Sequence, residues 1–189
     1  PLYEPFYAVN DGSDMFCSFE PSNPGAFTNI GPATPTGFIQ NAASVLDVYW
    51  VIDQYGGLYT VDVTTGAFTT VGPTGVTDTM GLAFDDTTGQ MFMTAGTYTN
   101  GNLYEVDMGT GQATLIGNMG ETGFAMISIV CDNDGQLYGV EIVSAGSDGM
   151  FYSIDKTTGA ATPIGSVGFS MNYGQDMEYD KDNDILYFC

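Results

Sequence analysis

The sequence predicts an all-β fold assembled from similar stacked sheets, and three observations carry that expectation. One passage is written four times, most clearly as "GGLYTVDVTTGAFTTVG" from Gly56 to Gly72 and "GNLYEVDMGTGQATLIG" from Gly101 to Gly117. An acidic column, Glu20, Asp62, Asp107 and Asp155, marks the copies at intervals of 42, 45 and 48 residues, a period typical of radially repeated sheets. Glycine is abundant at 26 residues, and tyrosine and phenylalanine number 12 each. That composition favours tight turns and pleated strands, and no segment keeps a helical period.

Each element follows from the repeat. Before the carboxylate stands an apolar pair: Phe16-Cys17, Leu58-Tyr59, Leu103-Tyr104 or Phe151-Tyr152. After it come "VTTG", "MGTG" and "KTTG", with "PSNPG" in the first copy. This is a hairpin in which Asp accepts hydrogen bonds from turn amides and Gly66, Gly111 or Gly159 takes the positive φ of a bulged turn. The following strand, "AFTNIG", "AFTTVG", "QATLIG" or "AATPIG", ends at Gly31, Gly72, Gly117 or Gly165.

A second hairpin lies between copies: "GLAFDDTTGQMFMT" from Gly81, "ISIVCDNDGQLYGV" from Ile127 and "DMEYDKDNDILYFC" from Asp176, with the degenerate "ASVLDVYWVID" from Ala43 to Asp53. Together the hairpins make a four-stranded antiparallel unit with strand positions A ("GLAFD"), B ("QMFMT"), C ("NLYEVD") and D ("QATLIG"). That unit is the blade of a β-propeller. Leu58 and Tyr59 point to opposite faces and both are large and apolar, as in a sheet covered on each side; a sheet with one wetted face alternates instead. The predicted blades occupy residues 5–31, 43–72, 80–117 and 126–165 of a single domain, with a partial blade at 175–189.

The two ends both fit position B: "FYAV" at Phe6 to Val9 and "LYFC" at Leu186 to Cys189. One B strand is therefore surplus. Three arrangements accommodate it: a section of a larger propeller, a four-bladed ring with an extra edge strand, or end strands that complete a blade in another copy. Unpaired edges recruit strands, which makes Phe6, Tyr7, Ala8, Val9, Leu186, Tyr187, Phe188 and Cys189 the candidate self-association edges. Exchange repeated head to tail gives a filament.

The pattern "LYxVDxxTGxxTxIG" followed by "GLAFDxxTGxMF" resembles the blades of secreted and surface-anchored bacterial β-propeller repeat proteins, over nearly the whole chain. The resemblance implies a binding, adhesive or scaffolding module. The first copy departs from it, with Cys17 in the tyrosine column and Pro21 and Pro24 in the turn.

Charge narrows the partners. Two lysines and no arginine or histidine stand against 23 acidic residues, a formal net charge of −21. Such a surface repels nucleic acid and anionic lipid and keeps copies apart in solution. No apolar run has membrane-spanning length, so no membrane insertion is expected. The opening "PLYEPF", without a starting Met or signal peptide, reads as a mature or trimmed product, and the expected location is extracellular or at the cell surface.

The absence of histidine excludes Ser-His-Asp and Cys-His catalysis and His-ligated zinc or haem. A phosphate-cradling GxxxxGK[ST] motif is missing too. What remains for an enzyme is a carboxylate pair of the glycosidase or lyase kind, drawn from Glu4, Glu121, Glu141 and Glu178.

Asp180, Asp182 and Asp184 in "DKDND" have the opening spacing of a calcium loop, but Ile185 stands where such a loop needs glycine and no twelfth-position glutamate follows. Turn capping is the leading reading for them, with weak Ca2+ binding the alternative and no other cofactor expected. Cys131 replaces an aromatic and reads as a buried filler. Cys17 and Cys189 fall on neighbouring strand positions, where a disulfide within or between chains is conceivable. Trp50 and most tyrosines occupy packing columns, whereas Tyr98 and Tyr173 sit in loops suited to contact with a ligand.

The function expected from the sequence is a non-enzymatic extracellular structural protein, a homo-oligomer or filament built through its incomplete blades. The alternative is a surface-displayed module binding glycan or protein, with or without calcium. A carboxylate-dependent glycosidase or lyase comes third.

Overall fold

The computed structural model describes residues 5–10, 12–33, 38–46, 48–97, 100–120, 126–141, 148–170 and 176–188. The regular elements among these are all strands, and no helix is long and apolar enough to cross a membrane. They form a four-bladed β-propeller.

Three blades are complete. Blade 1 holds β4 (Ile39–Val45), β5 (Val48–Asp53), β6 (Gly57–Val61) and β7 (Phe68–Pro73). Blade 2 holds β8 (Thr79–Asp85), β9 (Gln90–Thr97), β10 (Asn100–Val106) and β11 (Ala113–Asn118). Blade 3 holds β12 (Met126–Cys131), β13 (Leu137–Glu141), β14 (Asp148–Ile154) and β15 (Ala161–Ser170). In each the strands pair antiparallel in chain order, at positions A to D. Strand β4 starts at Ile39 and β15 runs to Ser170, both beyond the repeated text.

The fourth blade is split. Strands β1 (Phe6–Asn10), β2 (Met15–Phe19) and β3 (Thr28–Pro32) form one sheet at positions B, C and D. Strands β16 (Met177–Asp180) and β17 (Ile185–Phe188) form another at A and B.

Burial runs from the axis outward. In the complete blades the A and B strands are the most buried, with all six residues of β12 closed off, and the D strands the most exposed. Between blades the faces meet in apolar clusters: Trp50, Ile52 and Leu58 of blade 1 pack with Leu82, Met91 and Met93 of blade 2, and Phe92 and Leu103 of blade 2 pack with Ile129 and Leu137 of blade 3. Two-sided burial is what the paired apolar residues require. Cys131 lies in the second cluster, 3% exposed, and burial pushes its thiol up to about 12.

The repeated turn is built as its sequence dictates. Oδ1 of Asp62 accepts the amides of Thr64 (2.8 Å) and Thr65 (3.2 Å), Asp107 those of Gly109 (2.8 Å) and Thr110 (2.9 Å), and Asp155 those of Thr157 (2.7 Å) and Thr158 (3.2 Å). Gly66, Gly111 and Gly159 have φ of 72°, 83° and 79°. Each turn presses on the D strand of the preceding blade, because Gly31, Gly72 and Gly117 lie against the carbonyls of Thr65, Thr110 and Thr158. A one-residue bulge immediately precedes the glycine of every D strand, at Ile30, Val71, Ile116 and Ile164, and bends it locally. Two hydrogen bonds reinforce the contact, from the Ala113 amide to the Thr74 carbonyl (3.0 Å) and from the Ala161 amide to the Met119 carbonyl (3.2 Å).

Candidate functional site

The A strands converge on a polar hub at the propeller axis. Asn41 on β4, Gly81 on β8, Ser128 on β12 and Asp176 just before β16 come to the same level, one from each blade. Oδ1 of Asp176 accepts from Asn41 Nδ2 (2.6 Å), Ser128 Oγ (2.6 Å) and the Met177 amide (2.8 Å), while Asn41 Oδ1 accepts from the Leu82 amide (2.9 Å). The hub ties the fourth blade to blades 1 and 3. Beside it is a hollow of about 20 Å³ lined by Ala43, Leu82, Ile129, Met177, Glu178 and Lys181. That is room for one water molecule, far below the roughly 300 Å³ where ligand pockets begin.

Burial raises the Asp176 carboxyl to about 6, against its three hydrogen bonds. Glu178, two residues along the same strand, is raised to about 7 by burial and by the charge of Asp176, with Lys181 opposing. Both groups bind protons more tightly folded than unfolded. Their contribution is therefore present in full below about pH 4 and is lost as pH rises through 6 to 7.

The turn aspartates act the other way. Backbone and side-chain hydrogen bonds hold Asp62, Asp107, Asp155 and Asp180 below the ordinary carboxylate value. For Asp85 burial works against ionisation, but Lys156, Thr87 and Thr88 hold the carboxyl well below that value. These contributions disappear as the pH falls below about 4. Thermal stability is expected to peak between pH 4 and 6, with Tm about 6 °C above its value at pH 7.5, from a linkage of about 2 kcal/mol. A series of melts from pH 3 to 8 checks this, and a Tm that rises steadily from pH 5 to 8 refutes it.

The proposed edges lie in the split blade. Strand β1 packs on blade 1: the Tyr7 ring meets the Tyr49 ring at 5.9 Å, and the Tyr49 hydroxyl donates to the Tyr7 carbonyl at 3.1 Å. Strand β17 packs on blade 3, where Phe188 joins Val140, Phe151 and Met177 and meets Phe169 at 5.4 Å. The halves touch through Phe6 and Tyr187, whose rings meet edge to face at 5.2 Å. Among the described residues no ladder joins β1 to β17. Ala8, Val9 and Leu186 lie on these same edge strands, and Cys189 lies outside the described residues. Each half thus brings its own B strand to the split blade, and the two compete for one position.

The remaining candidates are dispersed. Asp180 Oδ1 accepts the amides of Asp182 (3.1 Å) and Asn183 (3.0 Å), and Asp184 accepts the Tyr179 hydroxyl. Among the described residues no group of three or more acidic or thiol side chains is arranged to hold a metal ion. Glu141 is 5% exposed and accepts the Tyr152 hydroxyl at 2.7 Å; Glu178 faces the axial hollow. Glu4, Glu121, Tyr98 and Tyr173 lie outside the described residues. Trp50 is buried between blades 1 and 2, and Cys17 is a free, buried thiol whose Sγ meets the Ala8 carbonyl at 3.4 Å. Both lysines are tied to one turn of blade 2, Lys156 to Asp85 and Lys181 to Asp86.

Sequence reasoning passed over the hub. Its signal was present: Ser128 and Asp176 each stand four residues before the turn aspartates Asp132 and Asp180, and a polar residue there breaks the apolar pattern of the A position.

No protein-family model matches the sequence, and no curated protein matches it. Solved structures do. A chain of a nidogen/laminin complex matches 96% of this chain over 68% of its own length, at 14% identity and a TM-score of 0.66. A structural-genomics protein of unknown function from Bacteroides thetaiotaomicron matches 94% over 52% of its length, at 16% identity and a TM-score of 0.68. The calcium-binding protein regucalcin from Agrobacterium tumefaciens matches 86% over 59%, at 12% identity and a TM-score of 0.57. The chain therefore spans between about half and two-thirds of the length of these chains. At such identities the likeness is one of fold, that of the β-propeller.

Proposed function

We propose that this chain is a non-enzymatic structural propeller that works outside the cell by associating with copies of itself through its split fourth blade, in chains or filaments. The observation that carries the reading is the pair of edges, β1 and β17, which among the described residues share no ladder and meet through the Phe6–Tyr187 rings. A strand edge without a ladder is a template for another strand, and contacts that do not close on themselves propagate. The one-water axial hollow and the engagement of Glu141 with Tyr152 support a role without catalysis.

Sedimentation velocity across a hundredfold concentration range, with negative-stain microscopy, tests the reading. Growing mass or visible filaments support it. Because a net charge of −21 makes copies repel, association is expected to strengthen between 0.05 and 0.5 M salt. A monomer under all these conditions ends the proposal.

A second reading, a surface module that binds glycan or protein with or without calcium, draws support from the nidogen/laminin and regucalcin neighbours. A glycan array probed with and without calcium separates it from the first.

A further inference from the structure

Three of the propeller's four blade junctions share one device, and the fourth lacks it. At Gly31, Gly72 and Gly117 an added β-carbon overlaps the carbonyl oxygen of Thr65, Thr110 or Thr158 in the next blade's turn. The bulge residues beside them, Ile30, Val71 and Ile116, pack into the inter-blade clusters. At the junction of blade 3 with the split blade the matching residues are Gly165 and Ile164, and the matching turn is Pro21–Gly25. Among the described residues, an added β-carbon meets nothing within 4 Å at Gly165 or at Gly25. Ile164 is 56% exposed and Phe27, just past the turn, is 49% exposed.

The surplus strand explains the gap. Strand β17 packs against blade 3 while the sheet β1–β3 packs on blade 1, and the turn of that sheet does not reach Gly165. Both halves of the lock are thus left open on one chain.

We propose that the open face at Ile164 and Gly165 of one copy receives the Pro21–Gly25 turn of a second copy, joining molecules head to tail by the lock that joins blades within the chain. The occupant is a second copy because, among the described residues, each half is present and unmatched and the same pairing already joins blades within the chain. The contact is heterologous and leaves a free half at either end of every oligomer, so it propagates. This inference rests on the self-association proposed above and assigns its surface.

Gly165 and Gly25 allow a selective test. Neither has a left-handed φ, and each has open space around it, so Gly165→Leu and Gly25→Leu leave the isolated fold intact while blocking the lock. Wild type, both variants and Leu186→Lys, which places a charge on the β17 edge, are compared by sedimentation velocity in 0.5 M salt, with circular dichroism and Tm as checks on folding. The expected result is a loss of association of at least tenfold in both glycine variants, at unchanged Tm, with a smaller loss in Leu186→Lys, whose edge carries the strand contact proposed above.

Equal amounts of Gly165→Cys and Gly25→Cys chains, each also carrying Cys189→Ser, are expected to form a one-to-one disulfide-linked dimer when mixed and oxidised. Glycine variants that associate like wild type overturn the inference and leave self-association standing. A wild-type monomer at every concentration overturns the underlying reading as well. A Tm lowered by several degrees in both glycine variants shows the lock closing within one chain, and also overturns it.

Discussion

Replacing Asp176 by alanine is expected to lower stability by about 3 kcal/mol and Tm by about 9 °C, and to free the β16–β17 hairpin before the rest of the propeller melts. The reasoning starts from what the carboxylate holds. It accepts from Asn41, Ser128 and the Met177 amide at once, and its loss leaves buried donors short of acceptors, each costing about 1–3 kcal/mol. Ser128 Oγ softens the loss, because it lies 3.2 Å from Asn41 Nδ2 and 3.0 Å from the Met177 amide. The hairpin suffers most, since it has only two strands and is anchored by this hub and by the apolar cluster around Val140 and Met177. Asp176→Asn keeps an acceptor without the charge and is expected to match wild type at pH 7.5 while flattening the acid-side rise in Tm. Thermal melts and amide exchange of Met177 to Asp180 decide the matter. If the alanine variant melts with wild type and its β16 amides stay equally protected, the hub is not what closes the ring.

What the sequence disclosed and what it withheld follow a physical divide. The turns were legible because Asp62, Asp107 and Asp155 act on amides two and three residues away and the glycine after them answers a local φ. The blade was legible because Leu58 and Tyr59 declare two covered faces. The surplus B strand was countable, but which half would hold position B depends on competition between Phe188 on blade 3 and Tyr7 on blade 1, and no local rule weighs that. The hub was harder still. Asn41 and Ser128 lie far apart in sequence, and only closure of the ring brings them to Asp176. At Asp180 to Asp184 the local signal was turn capping, and the turn engages Asp180 through backbone amides and Asp184 through Tyr179.

Gly117→Ala is expected to cost about 3 kcal/mol and lower Tm by about 9 °C, although it adds a single methyl group to a residue near the surface. The methyl has no free direction: it overlaps the Thr158 carbonyl oxygen, which belongs to a turn fixed by Asp155 and by the left-handed Gly159 behind it. Relief requires blades 2 and 3 to part at their outer edge, breaking the hydrogen bond from the Ala161 amide to the Met119 carbonyl and loosening Ile116 from its cluster. Gly72→Ala meets the same obstacle at Thr110 and is expected to behave alike. Alanine is also the better strand residue by propensity, so local preference alone predicts a gain where the packing predicts a loss. Urea denaturation of the two variants beside wild type settles which effect wins. Midpoints at or above the wild-type value mean that the glycines are conveniences of the turn sequence and that the blades are held by their apolar faces alone.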